Sequence, residues 1–209
     1  MNYTQILSRL FSVALAFFVF GCNTDDPKKE DAPELITKVT LTFTPVNGGT
    51  PIVVSASDPD GEGVQDLAPE DEIVLADGTA YDLSVELINE LAAPTEEGYD
   101  ISEEVKEEGD EHMFFYGWTN DLFSSPTGNG NIDSRADQVI YTDNDSKNLP
   151  IGLLTRWTTI DTGSAHSHTT PTTGTFRIVL KHQPGLKNGT SGVNIGETDM
   201  DITFSITIP

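Results

Sequence analysis

Two histidines separated by one residue, His166 and His168, have a spacing that suits metal binding. They lie in "GSAHSHTTPTTG", and alternate residues of an extended chain point to the same side. Imidazole nitrogens are common ligands of zinc and copper, and such a pair needs a further donor brought in by folding. The same composition is also typical of an exposed loop that binds no ion. A zinc or copper site and a plain loop are therefore both open.

A second metal candidate is His112, which follows acidic residues in "EEVKEEGDEHMFFYGW". Asp110 and Glu111 precede it directly, so hard oxygens and one imidazole are close in the chain. The alternative is that these acids end a solvated helix and that His112 begins a strand. No second histidine lies at a ligand spacing from His112. His182, at the end of an alternating strand, is expected to be a partly buried structural residue.

Two acidic turns have the alternating oxygen donors of calcium-binding loops. They are "DPDGEG", with Asp58, Asp60 and Glu62, and "DNDSKN", with Asp143 and Asp145. Neither completes the EF-hand pattern, because Lys147 stands at a donor position and no glutamate closes either loop. Turn-forming aspartates explain both segments equally well without an ion.

Motifs of catalysis are absent from the sequence, which has no G-x-S-x-G, no H-E-x-x-H and no phosphate-binding glycine loop. Carboxylate pairs are so numerous that none of them indicates a glycosidase, which needs two acids facing each other across a cleft. We therefore expect a non-enzymatic protein, with a hydrolase left as the distant alternative.

The N-terminal segment has the order of a secretory signal peptide. Arg9 precedes the apolar run "LFSVALAFFVF", and Gly21 stands before Cys22, the only cysteine among 209 residues. Such a run is shorter than the roughly 20 residues of a membrane-spanning helix. "VFGC" resembles the lipobox of bacterial lipoproteins, although Phe20 is bulkier than usual there. The resemblance implies that residues 1–21 are removed and that Cys22 is acylated and anchored in membrane lipid.

The polar segment that follows, residues 22–34, predicts a flexible acidic tether. Its pair Asp25 and Asp26 resembles the export signal of surface-exposed lipoproteins of Bacteroidota-type bacteria, which implies an outer-membrane, cell-surface location. An acidic linker is also unremarkable in so acidic a chain. The whole sequence carries 34 acidic and 11 basic residues, a net charge of −23. Binding to nucleic acid by charge attraction is excluded on this ground.

Residues 35–209 predict one all-β domain, because apolar residues alternate with polar ones in segment after segment. The clearest cases are "KVTLTFTP", "AYDLSVELINEL", "TFRIVLKH" and "MDITFSITI". About nine strands separated by glycine- and asparagine-rich turns favour an immunoglobulin-like antiparallel β-sandwich. One short helix is expected at "YDISEEVKEEGD", capped by Asp100, with Ile101 and Val105 on its apolar face and a stop at Gly109.

Several segments resemble a family of small lipoproteins of Bacteroidota-type bacteria. They are "ELITKVTLTFTP", "DPDGEG", "YDLSVELINE", "DISEEVKEEGDEHMFFY", "GTFRIVLKHQPG" and "GETDMDITFSITI". The resemblance covers nearly the whole domain and implies association with an outer-membrane TonB-dependent receptor. Some members have histidine-rich tethers, whereas this tether contains no histidine.

Two functions follow as hypotheses. The first is a ligand-binding or accessory module of an uptake system, whose loops meet a ligand or partner. Its candidate contact residues are aromatic, with core packing as the alternative for each: Trp118, Phe123, Tyr141 and Trp157. The second is a surface protein that captures zinc or copper through His166, His168 and His112, or that binds calcium.

Overall fold

The computed structural model describes residues 34–61, 67–130, 132, 139–161 and 171–209. The predicted signal peptide lies outside these residues, as do Cys22, Glu62, His166 and His168. The described residues belong to one compact unit, Pro33–Pro209. Among them, no helix has the length and apolar character needed to span a membrane.

The described chain contains eleven strands and one helix. In chain order they are β1 (Lys38–Pro45), β2 (Ile52–Ser57), β3 (Ala68–Pro69), β4 (Ile73–Val74), β5 (Ala80–Ile88), α1 (Ile101–Glu107), β6 (His112–Trp118), β7 (Phe123–Ser125), β8 (Ile140–Tyr141), β9 (Leu154–Thr159), β10 (Thr172–His182) and β11 (Glu197–Ile208). Each of the nine predicted strands is present. β3 and β7, the two that were not predicted, are too short to show an alternating pattern.

The strands form two sheets, which confirms an all-β sandwich. One sheet has the order β3-β2-β1-β5-β9-β7, with β8 added beside β9, and the other has the order β4-β11-β10-β6. All pairs are antiparallel except β4 with β11, so the second sheet is mixed. In β1 and β5 the buried residues alternate with polar ones, as the sequence predicts for strands with one face in the core.

The helix begins as predicted, because the Asp100 side chain accepts a hydrogen bond from the backbone N–H of Glu103. Ile101 and Val105 are its buried residues. Gly109 is not in the left-handed conformation that ends many helices. A side chain there would instead meet Ile151, 2.7 Å from the Cβ position, so close packing explains the glycine.

A cluster of aromatic rings fills the core between the sheets. Trp157 is fully buried and its ring centroid lies 4.9 Å from that of Phe176 and 5.0 Å from that of Trp118. Phe123 packs against the same indole at 4.9 Å. The prediction that Trp118, Phe123 and Trp157 contact a ligand at the surface is therefore wrong, since all three are core residues. Tyr141 is half-buried and donates a hydrogen bond to the carbonyl of Phe114.

Candidate metal centre

The fold brings together two histidines that are 70 positions apart in the sequence. His112 is the first residue of β6 and His182 is the last residue of β10, and the two face each other in the antiparallel register. Their rings stack with centroids 4.5 Å apart and planes 5° from parallel. His112 is 0% exposed and His182 is 5% exposed. Both imidazoles are thus held inside the protein at one end of the β6–β10 pair.

Helix α1 adds carboxylates to this pair. Glu104 and Glu108 are one helical turn apart and therefore share a side of the helix. Each stands three positions after a buried residue, Ile101 or Val105, so the two carboxylates border the buried stripe. Donor atoms of Glu108, His112 and His182 all lie within 4.8 Å of one another. The backbone carbonyl of Glu108 also accepts a hydrogen bond from the backbone N–H of His112, which ties the helix end to the start of β6.

Asp199 reaches the cluster because β11 contains a β-bulge at this residue. Leu180 pairs with Met200 and Lys181 pairs with Thr198, so Asp199 is the extra residue of a β-bulge. Bulges turn a side chain away from the direction that the regular pleat would give it. Asp199 is 1% exposed, and neither of its carboxylate oxygens makes a hydrogen bond of normal geometry with the described residues.

The Nε2 atom of His112 faces two carboxylates. It lies 3.8 Å from Oδ2 of Asp199 and 3.9 Å from Oε1 of Glu34. Its Nδ1 atom lies 3.3 Å from the carbonyl oxygen of Glu108. Because a carbonyl only accepts, Nδ1 carries the hydrogen in this contact and Nε2 of the neutral ring presents a lone pair. Three electron-pair donors therefore converge, an arrangement that is stabilised by a proton or a metal ion among them.

The electrostatics of the cluster favour a cation. Burial raises the pKa of Asp199 to about 7, with His182 lowering it and Glu34 raising it further. The Asp199 carboxyl is therefore about half-protonated near pH 7, and a divalent cation would replace that proton. Donor atoms of Glu34, Glu104 and Glu108 lie within 4.8 Å of one another. Two carboxylates at that separation repel by about 3 kcal/mol at an effective dielectric constant of about 20.

Among the described residues, Lys181 interacts electrostatically with Asp199. Its ammonium donates a hydrogen bond to the Thr198 hydroxyl at 2.6 Å. Burial lowers the pKa of Lys181, although Asp199 raises it in part.

The donor set fits a first-row transition metal. Zinc lies about 2.1 Å from nitrogen and oxygen ligands, so two ligands of a tetrahedral ion are about 3.4 Å apart. The separations in the cluster, 3.8 Å and 3.9 Å at His112, are only slightly wider. For donor atoms up to 4.8 Å apart, as in the group of Glu108, His112 and His182, binding would require the side chains to draw together by up to about 1.4 Å. Imidazole with carboxylate suits zinc, iron, nickel and copper(II), and the absence of a thiolate donor in the cluster disfavours copper(I).

The predicted metal ligands have mixed outcomes. His112 lies in the cluster, and Glu111 lies beside it, with Oε2 3.5 Å from Nε2 of His182. Asp110 is not part of it, because its carboxylate pairs with Lys147 at 2.9 Å on the surface. His182 was expected to be a partly buried structural residue; it is 5% exposed, and sequence reasoning missed its position beside His112. The spacing of four between Glu104, Glu108 and His112 is a sequence signal that could have indicated the cluster.

The loop "DNDSKN" uses its predicted calcium ligands in another way. Asp143 accepts hydrogen bonds from the backbone N–H groups of Gly152 and Leu154. Asp145 accepts two backbone hydrogen bonds and pairs with the buried ammonium of Lys187 at 3.0 Å. The cation of this loop is therefore a lysine, which corrects the calcium prediction for Asp143 and Asp145.

In the other predicted calcium loop, Asp58 is 1% exposed, and its side chain stabilises the turn to which it belongs. Its Oδ1 atom accepts hydrogen bonds from the N–H groups of Asp60 and Gly61. Hydrogen bonding with the Asp60 side chain, and with these N–H groups, lowers the pKa of Asp58. This local turn explains the two aspartates, and calcium binding at Asp58 and Asp60 stays a prediction.

Comparisons with protein-family models, with curated proteins and with solved structures give no match to this chain.

Proposed function

We propose that this chain is an exported, lipid-anchored protein whose β-sandwich domain binds a divalent transition-metal ion. His112, His182 and Glu108 are the proposed ligands, with Asp199 as a further donor. The observation that carries the proposal is the convergence of two buried imidazoles with carboxylates, in which donor atoms of Glu108, His112 and His182 lie within 4.8 Å of one another. The bound ion would connect the end of α1 with β6, β10 and β11, and so would join one end of the β6–β10 pair to the helix.

The arrangement suits capture and retention of a metal better than hydrolysis with one. Catalytic zinc sites keep a coordination position open to water or substrate. Here the imidazoles are buried, and carboxylates from Glu34, Glu108 and Asp199 surround them. A non-enzymatic role in metal acquisition at the outer membrane, next to an uptake receptor, joins this site to the lipoprotein signals of the N-terminus.

Calorimetric titration of the lipidated protein in detergent with zinc chloride tests the proposal. We expect saturable binding that both His112→Ala and His182→Ala weaken by more than the roughly 10- to 100-fold typical of losing an outer-shell partner. Zinc should also raise the melting temperature of the wild type and not of these variants. A His166→Ala/His168→Ala variant is the matched control and should bind zinc normally.

Two results would contradict this assignment. One is a flat titration of the wild type. The other is loss of binding in the His166→Ala/His168→Ala variant with normal binding in His112→Ala, which would move the site to the H-x-H segment.

A further inference from the structure

A cleft of about 590 Å³ is lined by residues of helix α1 and by residues of the chain that leads into β9. Its volume lies within the range of roughly 300–1,000 Å³ that is typical of small-molecule sites. The lining includes none of the proposed metal ligands, Glu108, His112, His182 and Asp199. The cleft is therefore a second candidate site of the domain.

The helix presents different residues to the core and to the cleft. Ile101 and Val105 are buried in the core. Glu103 and Glu107 are exposed residues of the cleft lining, and they share a side of the helix because they are one turn apart. Two carboxylates of α1 thus border the cleft.

Apolar side chains supply another part of the lining. Val85, Ile151 and Leu153 are core residues that reach the cleft with the small part of their surface that is exposed, and Leu154 is 45% exposed beside them. Apolar surface in a concave place favours a ligand with a hydrocarbon part, because binding removes both surfaces from water.

Two acids of the lining already have a cationic partner. Asp110 pairs with Lys147 at 2.9 Å, and Asp145 pairs with Lys187 at 3.0 Å. These two carboxylates are neutralised within the protein, so the ligand charge of the cleft has to be judged from the other acids.

Three carboxylates on two different segments remain to meet a ligand. Among the described residues, neither Glu103 nor Glu107 forms an ion pair, and Lys106 is the only lysine of the lining. Asp143 lines the cleft from the segment before β9, and burial raises its pKa. Its oxygens accept backbone hydrogen bonds and each has a further lone pair, so an adjacent ammonium group would stabilise the charged form.

We propose that the cleft binds an aliphatic diamine. Its hydrocarbon chain would lie against Leu154 and the neighbouring apolar residues, and its ammonium groups would donate hydrogen bonds to Glu103 or Glu107 on one side and to Asp143 on the other. An anionic ligand would be repelled by these groups, and a purely apolar ligand would remove their carboxylates from water without a partner. This site goes beyond the proposed metal function and does not depend on it.

Calorimetric titration of the lipidated protein in detergent with hexamethylenediamine tests the proposal. We expect one saturable site in the wild type. Hexanediol, which has the same chain without charge, and ammonium chloride, which has the charge without the chain, should give no saturable binding. Glu103→Gln/Glu107→Gln should weaken the affinity about tenfold, since an exposed ion pair contributes up to about fivefold. Leu154→Asn should weaken it as well, because it removes the most exposed apolar contact.

Glu86→Gln/Glu97→Gln is the matched control, because it removes the same charge from exposed residues outside the cleft. It should bind the diamine normally. If the Glu103→Gln/Glu107→Gln variant does not fold, two-dimensional NMR of the wild type replaces it. Amide shifts of Glu103, Glu107 and Leu154 should then change on addition of the diamine, and those of Glu86 and Glu97 should not.

Three results would overturn the diamine site. One is a wild-type titration without saturation. Another is an equal loss of affinity in the cleft variant and in the control, which would indicate attraction by net charge alone. The third is binding of hexanediol as tight as that of the diamine. Zinc binding at His112 and His182 is measured separately, so none of these results decides the metal site.

Discussion

The two ring nitrogens of His112 have different partners, and this difference decides what the candidate centre can bind. Nδ1 is 3.3 Å from the Glu108 carbonyl, which directs Nε2 towards Asp199 and Glu34. A histidine ligand whose second nitrogen is held by a backbone carbonyl has a fixed tautomer and ring orientation. The helix end therefore supplies a donor through the Glu108 side chain and aligns His112 through the Glu108 backbone.

The residue that holds this helix end in place is Lys187. Its buried ammonium donates a hydrogen bond to the Gly109 carbonyl at 2.5 Å and pairs with Asp145 at 3.0 Å. Lys187→Met keeps the apolar stem but leaves the Asp145 charge buried, so the free energy of unfolding should fall by about 3–5 kcal/mol. Denaturant unfolding monitored by tryptophan fluorescence measures this loss.

Lys147→Met is the control for Lys187→Met, because Lys147 also pairs with an aspartate. The Lys147–Asp110 pair is exposed, with side chains 58% and 43% accessible, and should contribute less than about 1 kcal/mol. Equal, small losses in the two variants would contradict the structural importance of the buried pair.

The proposed metal centre would depend most directly on the position of one element, the end of β10. Gly196 has φ of +78°, and a Cβ there would overlap the carbonyl oxygen of His182. Gly196→Ala should therefore displace the residue that carries the second imidazole and lower both stability and zinc affinity. Denaturant unfolding and zinc titration measure the two effects.

Gly185→Ala separates backbone strain from this steric effect. Gly185 has φ of +66°, and nothing lies within 4 Å of its Cβ position. The left-handed conformation alone should cost this variant about 1–2 kcal/mol and leave zinc affinity unchanged. If Gly196→Ala matched Gly185→Ala in both measurements, the proposed displacement of His182 would be wrong.

Local patterns predicted most elements and only part of the centre. Alternation predicted the long strands, and the Asp100 cap with Ile101 and Val105 predicted α1. The register that places His112 opposite His182 joins strands far apart in the sequence, and no local pattern encodes it. Local sequence does not predict the bulge that turns Asp199 inward either, because "GETDMDITF" shows regular alternation only from Met200 onward.

Exposure could not be predicted for the aromatic residues because β6 is buried on both faces. Tyr116 and Trp118 pack into the main core, whereas Met113 and Phe115 form a second cluster with Val179. A strand covered on both faces has a nearly continuous apolar sequence. It lacks the alternation of apolar and polar residues that is typical of a strand with one face in solvent. Trp118 therefore looked like a candidate contact residue although it is only 4% exposed.

At the scale of the whole molecule, the net charge of −23 favours cation binding and opposes contact with anionic surfaces. Such a charge raises the local concentration of divalent cations near the protein, and salt weakens the effect because the screening length is about 8 Å at physiological ionic strength. The same charge repels an anionic membrane. Any attachment to such a membrane would therefore have to come from apolar groups, such as the acyl chains predicted on Cys22.

We expect the wild-type chain to be acylated at Cys22 and to stay in the membrane fraction after a high-salt wash. Each buried methylene of an acyl chain contributes about 0.8 kcal/mol, and more than one chain is needed for stable anchoring. Removing Arg9 with the signal leaves 10 basic residues against 34 acidic ones, so charge attraction cannot substitute for the lipid. Cys22→Ser should incorporate no radiolabelled palmitate and lose membrane attachment, whereas Thr24→Ser should behave as the wild type. A Cys22→Ser protein that remained in the washed membranes would exclude the lipid anchor and, with it, the placement of this metal centre at the cell surface.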